Sequence, residues 1–141
     1  MDITVEDIMN IHSQAIDMYG GLDGVRDYGA IDSVIQGIYL TFDEEELYPT
    51  VVDKASFLAY GLIKNHAFLD GNKRVGVATM LVFLQMNGYN IECTNEQLID
   101  FGLGVAKSEL EQPEIAEWIE SHHVKPLFYL TKTDPSYSWS S

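Results

Sequence analysis

Residues 49–88 read PTVVDKASFLAYGLIKNHAFLDGNKRVGVATMLVFLQMNG. In the first part Val51, Ala55, Leu58 and Leu62 recur at three- and four-residue steps, the stripe of a helix buried on one face. Pro49 and Thr50 open that helix, with Asp53 at the third position from the Thr50 cap, and it runs toward Asn65. A second run over 72–87 turns Val77, Met80, Leu81 and Leu84 inward. It is apolar almost all round, which predicts the central buried helix of a bundle. Gly88 after Asn87 stops it, since a left-handed cap suits glycine. Six residues, HAFLDG from His66 to Gly71, join the two helices.

The same periodicity extends outward on both sides. Over 4–18, Ile8, Ile11, Ala15 and Met18 mark one helical face, and Thr4 with Asp7 forms a capping box. Residues 20–29 hold glycines 20, 21, 24 and 29 and form a loop. Ile31, Val34, Ile35 and Ile38 predict a shorter helix over 30–40. Asp43 to Glu46 are four acids in a row, read as a solvated stretch. Residues 89–93 form a short extended piece, Thr94 and Gln97 box a helix to about 107, and Glu114 to Ser121 carry Ile115, Trp118 and Ile119. The expected fold is all-α: a single-domain bundle of about six helices around the 72–87 helix. The domain is expected over 1–130, followed by a polar tail over 131–141.

The chain has 141 residues, 46% of them apolar, enough for one domain with its own core. Eight Lys+Arg stand against 22 Asp+Glu, a net charge of −14. Such a surface repels phosphate backbones and anionic bilayers at long range, so neither nucleic acid nor membrane is an expected partner. Cys93 is the single cysteine, which leaves no intrachain disulfide. The N-terminus lacks a basic segment followed by an apolar one, and Val75 to Met86 is too short to span a bilayer. A cytoplasmic location is expected.

The 66–74 segment, HAFLDGNKR, breaks the monotony of the bundle. A glycine followed by a fresh helix start turns free N–H groups outward with the helix dipole behind them, an anion site. Lys73 and Arg74 stand in the first helical turn, where cations disfavour a bare helix by about 0.3–1 kcal/mol. A bound anion removes that cost. Lys64, Lys73 and Arg74 form a positive island in an acidic chain. Asp70 is a hard oxygen ligand of the kind that holds Mg²⁺ against substrate phosphates. His66 is the one group in the segment able to act as a general base near neutral pH. Taken singly, each has a plainer role: a C-terminal cap for His66, a turn for Asp70-Gly71, core for Phe68 and solvated charge for Lys73 and Arg74. Together they supply the parts of phosphoryl or nucleotidyl transfer from a nucleoside triphosphate to a hydroxyl. The segment is not a Walker A loop, which needs a longer glycine-rich run. Arg26 in the glycine-rich loop could reach the site or lie on the surface. Glu120 with His122 and His123 makes a poor metal set, because adjacent histidines face different sides of a helix.

HAFLDGNKR resembles the active-site motif of the Fic/Doc family, HxFx(D/E)GNGRxxR in its Fic form. The flanks from Glu46 to Tyr89, and GGLDGVRDYGAIDSVI over 20–35, are similar to the Doc (death-on-curing) branch. The resemblance covers roughly residues 8–120. It implies a helical bundle with this loop between two central helices and His66 as the base that activates a target hydroxyl. It further implies Asp70 holding Mg²⁺, an anion hole at Gly71 and Asn72, a phosphate contact from Arg74, and Phe68 packing the loop onto the core.

The departures from the Fic form are Lys73 in place of its second glycine and Val77 in place of its final arginine. Fic proteins with the full motif transfer AMP. The GNK variant is that of the Doc branch, which implies transfer of the γ-phosphate of ATP, with the nucleotide reversed, to a threonine of elongation factor Tu, and growth arrest. A lysine in place of glycine fills space over the phosphate hole, consistent with a changed nucleotide pose. The inhibitory motif (S/T)xxxE(G/N) is incomplete here, because Glu46 follows Thr41–Glu45. Restraint is therefore expected from a cognate antitoxin peptide in a groove of the bundle. Adenylyl transfer, and a catalytically silent binding module, are the alternatives.

Overall fold

The computed structural model describes residues 2–124. The 131–141 tail expected from the sequence lies outside the described residues. Among the described residues six helices account for almost all regular structure: α1 (Val5–Tyr19), α2 (Tyr28–Gly37), α3 (Val51–Lys64), α4 (Asn72–Met86), α5 (Asn95–Ala106) and α6 (Gln112–His122). The helix starts are chemical. Thr4 and Asp7 exchange reciprocal side chain to backbone bonds, as do Thr94 and Gln97, and the Thr50 hydroxyl accepts from the Asp53 N–H. α2 begins two residues before the expected 30 because Asp27 caps it, accepting from the Ala30 N–H, and it ends at Gly37 rather than 40. α6 likewise starts earlier, where Glu111 and Glu114 box a helix opened by Pro113.

α3 and α4 form the centre together. α4 is enclosed by α1, α3, α5 and the strand after it, and α3 by α2, α4, α5 and α6. They approach closely at Gly76, where a Cβ would meet Ile63 Cγ1 at 2.5 Å and the Ala59 carbonyl oxygen at 3.3 Å. That approach rotates α4 from its expected orientation. Val75, Gly76, Thr79, Met80, Phe83 and Leu84 are buried, whereas Val77 and Leu81 are only half-buried on the side facing α1 and α5. On α1 the buried face is Ile8, His12, Ala15 and Ile16; Met18, expected in the core, is 73% exposed. The expected stripe contained three apolar residues plus Met18, and the actual one contains a histidine.

Two small antiparallel pairs complete the fold: β1 (Thr41–Phe42) with β2 (Glu45–Glu46), and β3 (Asn90–Ile91) with β4 (His123–Val124). The second contains the short extended piece expected at 89–93. The first occupies the acidic run read as merely solvated. Asp43 and Glu44 take φ of 56° and 69°, the two left-handed residues of a type I′ hairpin turn. Glu46 pairs with Lys54 of α3 at 2.9 Å, and Lys54 also donates to the Tyr48 carbonyl. Thr41–Glu46 is therefore a hairpin, not an inhibitory helix.

Candidate active site

α3 ends at Asn65, whose side chain donates to the Ala30 carbonyl at 3.1 Å and accepts from the Ala67 N–H at 3.1 Å. The chain then reverses at His66, which takes a left-handed φ of 53° and is exposed. Ala67 and Phe68 plunge into the core. Asn72 staples the far end: its Oδ1 accepts from the Phe68 N–H and its Nδ2 donates to the Phe68 carbonyl, both at 3.1 Å. The Asn72 side chain is thus engaged within the loop, and what residue 72 has left to offer an anion is its backbone N–H.

The glycine-rich segment forms the second wall. Arg26 and Asp27 N–H groups donate to the Ala67 carbonyl at 2.7 and 3.0 Å, and Leu69 N–H donates to the Gly24 carbonyl at 3.1 Å. Val25 and Phe68 bridge in antiparallel fashion. Leu22 N–H reaches Asp70 Oδ2 at 3.2 Å, and Gly71 N–H reaches Asp70 Oδ1 at 2.8 Å. These two donors, helped by the Arg74 charge, hold the Asp70 carboxyl below its ordinary value against a raising effect of burial. Asp70 is an anion throughout the neutral range. Among the described residues no three ligating side chains gather. A divalent cation here would take one carboxylate and complete its shell with substrate oxygens and water, which is the habit of Mg²⁺.

Gly71, at φ 76°, is the N-cap of α4, and no side chain caps the first turn. The N–H groups of residues 72–74 are the ones an α-helix cannot satisfy internally, and no acid stands among them. Lys73 is exposed, and Arg74 Nη1 donates to the Gly20 carbonyl at 3.0 Å while its guanidinium lies 5.8 Å over the Tyr19 ring. Arg74 therefore ties α4 to the end of α1, where a cation is also favourable. Lys64 does not join them. Its ammonium points to the end of α5, donating to Ser108 Oγ at 2.5 Å and the Ala106 carbonyl at 3.4 Å. The positive island of the sequence is two cations in space, not three.

Beside Lys73 and Arg74 runs an apolar groove of about 520 Å³ between α1, α4 and α5, lined by Tyr19, Val77, Leu81, Leu98, Ile99 and Leu103. Arg26 is exposed in its loop. His122 Nδ1 bonds within α6 to the Trp118 carbonyl at 2.7 Å. Burial raises the thiol pKa of Cys93, which is half-buried.

Sequence reasoning missed His12. It is 1% exposed, its Nε2 donates to the Asp70 main-chain carbonyl at 2.6 Å, and its ring stacks on Phe68 with centroids 3.9 Å apart. The available signal was Ile8, His12 and Ile16 at four-residue steps, a polar residue inside an apolar stripe.

A family model described as Fic/DOC family matches residues 2–84, from the start of α1 through the 66–74 loop and most of α4. The Toxin Doc of Mycolicibacterium smegmatis is 38% identical over 86 residues, 61% of this chain and 64% of that protein, so the chain spans under two thirds of that relative's length. The Protein kinase doc of Escherichia phage P1 is 29% identical over 115 residues, 82% of this chain and 90% of that protein.

Proposed function

The chain belongs to the Fic/DOC family, and from that premise we propose that it is a Doc-like toxin that transfers the γ-phosphate of ATP to a threonine hydroxyl of elongation factor Tu. The observation that carries the reading is the uncapped start of α4 beside an ionised carboxylate, with an exposed histidine at the other end of the same loop. Such a set can hold polyphosphate, position a cation and take a proton. The name of the phage relative, Protein kinase doc, favours phosphoryl over adenylyl transfer, as does Lys73 at the position where the Fic motif has glycine.

In this reading His66 removes the proton of the target hydroxyl as its oxygen bonds to the γ-phosphorus. The bond from that phosphorus to the β,γ-bridging oxygen breaks, and ADP leaves. The N–H groups of residues 72–74, with Lys73 and Arg74, bind phosphate oxygens and favour the negative charge that builds there, while the Gly71 N–H holds the Asp70 carboxylate. Asp70 would hold Mg²⁺, which supplies charge neutralisation along the phosphates. Phe68 and Asn72 keep the loop in shape. The groove between α1, α4 and α5 suits an apolar face of a helical peptide, and we assign it to the cognate antitoxin. Among the described residues no helix is long and apolar enough to cross a membrane. The proposed substrates place the activity in the cytoplasm.

Intact-mass spectrometry of elongation factor Tu, incubated with the protein, ATP and Mg²⁺, tests the proposal. The expected result is a gain of about 80 Da, one phosphate on a hydroxyl, that disappears with His66→Ala or when the cation is chelated. A gain of an AMP group overturns phosphoryl transfer. No gain overturns the choice of target.

A further inference from the structure

We propose that His12 is a positioning residue of this site, locking the Asp70–Gly71 peptide so that its N–H holds the Asp70 carboxylate and its carbonyl is kept off the anion side; the inference rests on the reading of 66–74 as a phosphate and cation site. A peptide unit is planar and trans, so its carbonyl and its N–H point in opposite directions. Turning the Asp70 carbonyl inward turns the Gly71 N–H outward, where it meets Asp70 Oδ1 at 2.8 Å. Glycine at position 71 leaves that peptide free to flip, because both signs of φ are open to it. A flipped peptide would aim a carbonyl oxygen at bound phosphate and withdraw the N–H from the carboxylate. The His12 bond selects one of the two states.

The geometry is specific. A carbonyl only accepts, so Nε2, 2.6 Å from the Asp70 oxygen, carries the proton. The ring lies nearly parallel to Phe68, at 14°, so the motif's core residue fixes its plane. A Cβ on Gly71 would come within 3.4 Å of Nε2, so residue 71 rests against the imidazole. Nδ1 faces Asp23 Oδ1 at 3.6 Å, in the loop whose Leu22 N–H holds the other Asp70 oxygen. One buried ring therefore touches both walls of the site. An ordinary core position would be filled more cheaply by a hydrocarbon, because a buried polar ring must find partners.

Two variants separate packing from hydrogen bonding. His12→Phe keeps a ring against Phe68 and removes the donor, and His12→Gln keeps an amide donor near the Nε2 position. His12→Phe should lower kcat for phosphoryl transfer ~10–100-fold, the usual effect of losing a supporting hydrogen bond, with a much smaller change in KM for ATP. His12→Gln should recover a large part of the loss. The ¹⁵N–¹H signals of Gly71 and Leu22 should move in His12→Phe and return toward wild type in His12→Gln. Unmoved signals, together with kcat within about twofold of wild type, would overturn the proposal. The imidazole ¹⁵N spectrum of the wild-type protein decides the matter even where a variant does not fold: a proton on Nε2 is required, and a proton on Nδ1 alone refutes the lock. If the wild type transfers no phosphate, the function proposed above fails, whereas the amide and imidazole signals still judge His12.

Discussion

At Gly21 the backbone runs with φ of 118°, and a Cβ there would lie 2.6 Å from Asp70 Oδ2. Both facts disfavour a side chain, and the second bears on the carboxylate, because Leu22 donates to that same oxygen. Gly21→Ala is expected to destabilise the protein by about 1–3 kcal/mol through backbone strain alone, and also to displace the Asp70 carboxylate. Gly20→Ala, with a φ of 82° but nothing within 4 Å, carries strain without the clash. Urea unfolding of the pair should rank Gly21→Ala as the weaker protein, and, on the proposed role of Asp70 as a Mg²⁺ ligand, Mg²⁺ titration should show impaired binding in that variant alone. At this scale much of the candidate site was legible in the sequence. His66, Asp70, Gly71, Asn72, Lys73 and Arg74 sit within nine consecutive positions, on one loop and the helical turn that follows it, which keeps them near one another in space. His12 and Leu22 were not legible as partners of Asp70, because their hydrogen bonds span 58 and 48 residues.

The β1–β2 hairpin shows what element-level patterning leaves out. Its strands are two residues long, too short for any alternation of apolar and polar positions. Its acids look like solvated charge until Lys54, with its side chain 11% exposed, is seen to hold Glu46 and the Tyr48 carbonyl. The Tyr39 hydroxyl donates to Asp2 at 2.5 Å, and the Lys54 ammonium lies 5.9 Å over the Tyr39 ring. Burial, then the bond to Asp2, pushes the Tyr39 pKa up to about 12. Lys54→Met keeps much of the volume and removes the donor. It is expected to cost about 1–3 kcal/mol by leaving a carbonyl without its partner, and to speed hydrogen exchange at the Leu47 amide, which bonds to Leu40. Exchange at Leu47 as slow as in wild type would show that the turn alone holds the hairpin. The long helices were legible because each supplies several apolar residues at helical spacing and a chemical cap. Their rotation was not: Met18 and Val77 sit at plausible inward positions, and only the neighbouring helix decides which side of a stripe is covered.

Over the whole molecule the −14 charge is the dominant long-range feature. Among the described residues the lysine–carboxylate ion pair is Lys54–Glu46, so screening removes far more repulsion than attraction. The melting temperature at neutral pH is therefore expected to rise as ionic strength goes from about 0.01 to 0.15 M, opposite to a protein held by surface salt bridges. Calorimetry across that range checks it, and a falling melting temperature would show that charge attraction outweighs self-repulsion. The same field favours macromolecular partners that present a basic surface.

The sequence by itself determined the all-α class, the six helices, the loop between the two central ones and the chemical content of that loop. Those properties follow from spacing along the chain: helical period, caps and a contiguous motif. Tertiary structure alone decided which cations share the site, Lys73 and Arg74 without Lys64. It also decided that the glycine-rich loop is the site's second wall, and that a histidine on α1 stands beneath Asp70. Each of these depends on the packing angle of elements distant in sequence. Local patterning restricts that angle but does not choose it.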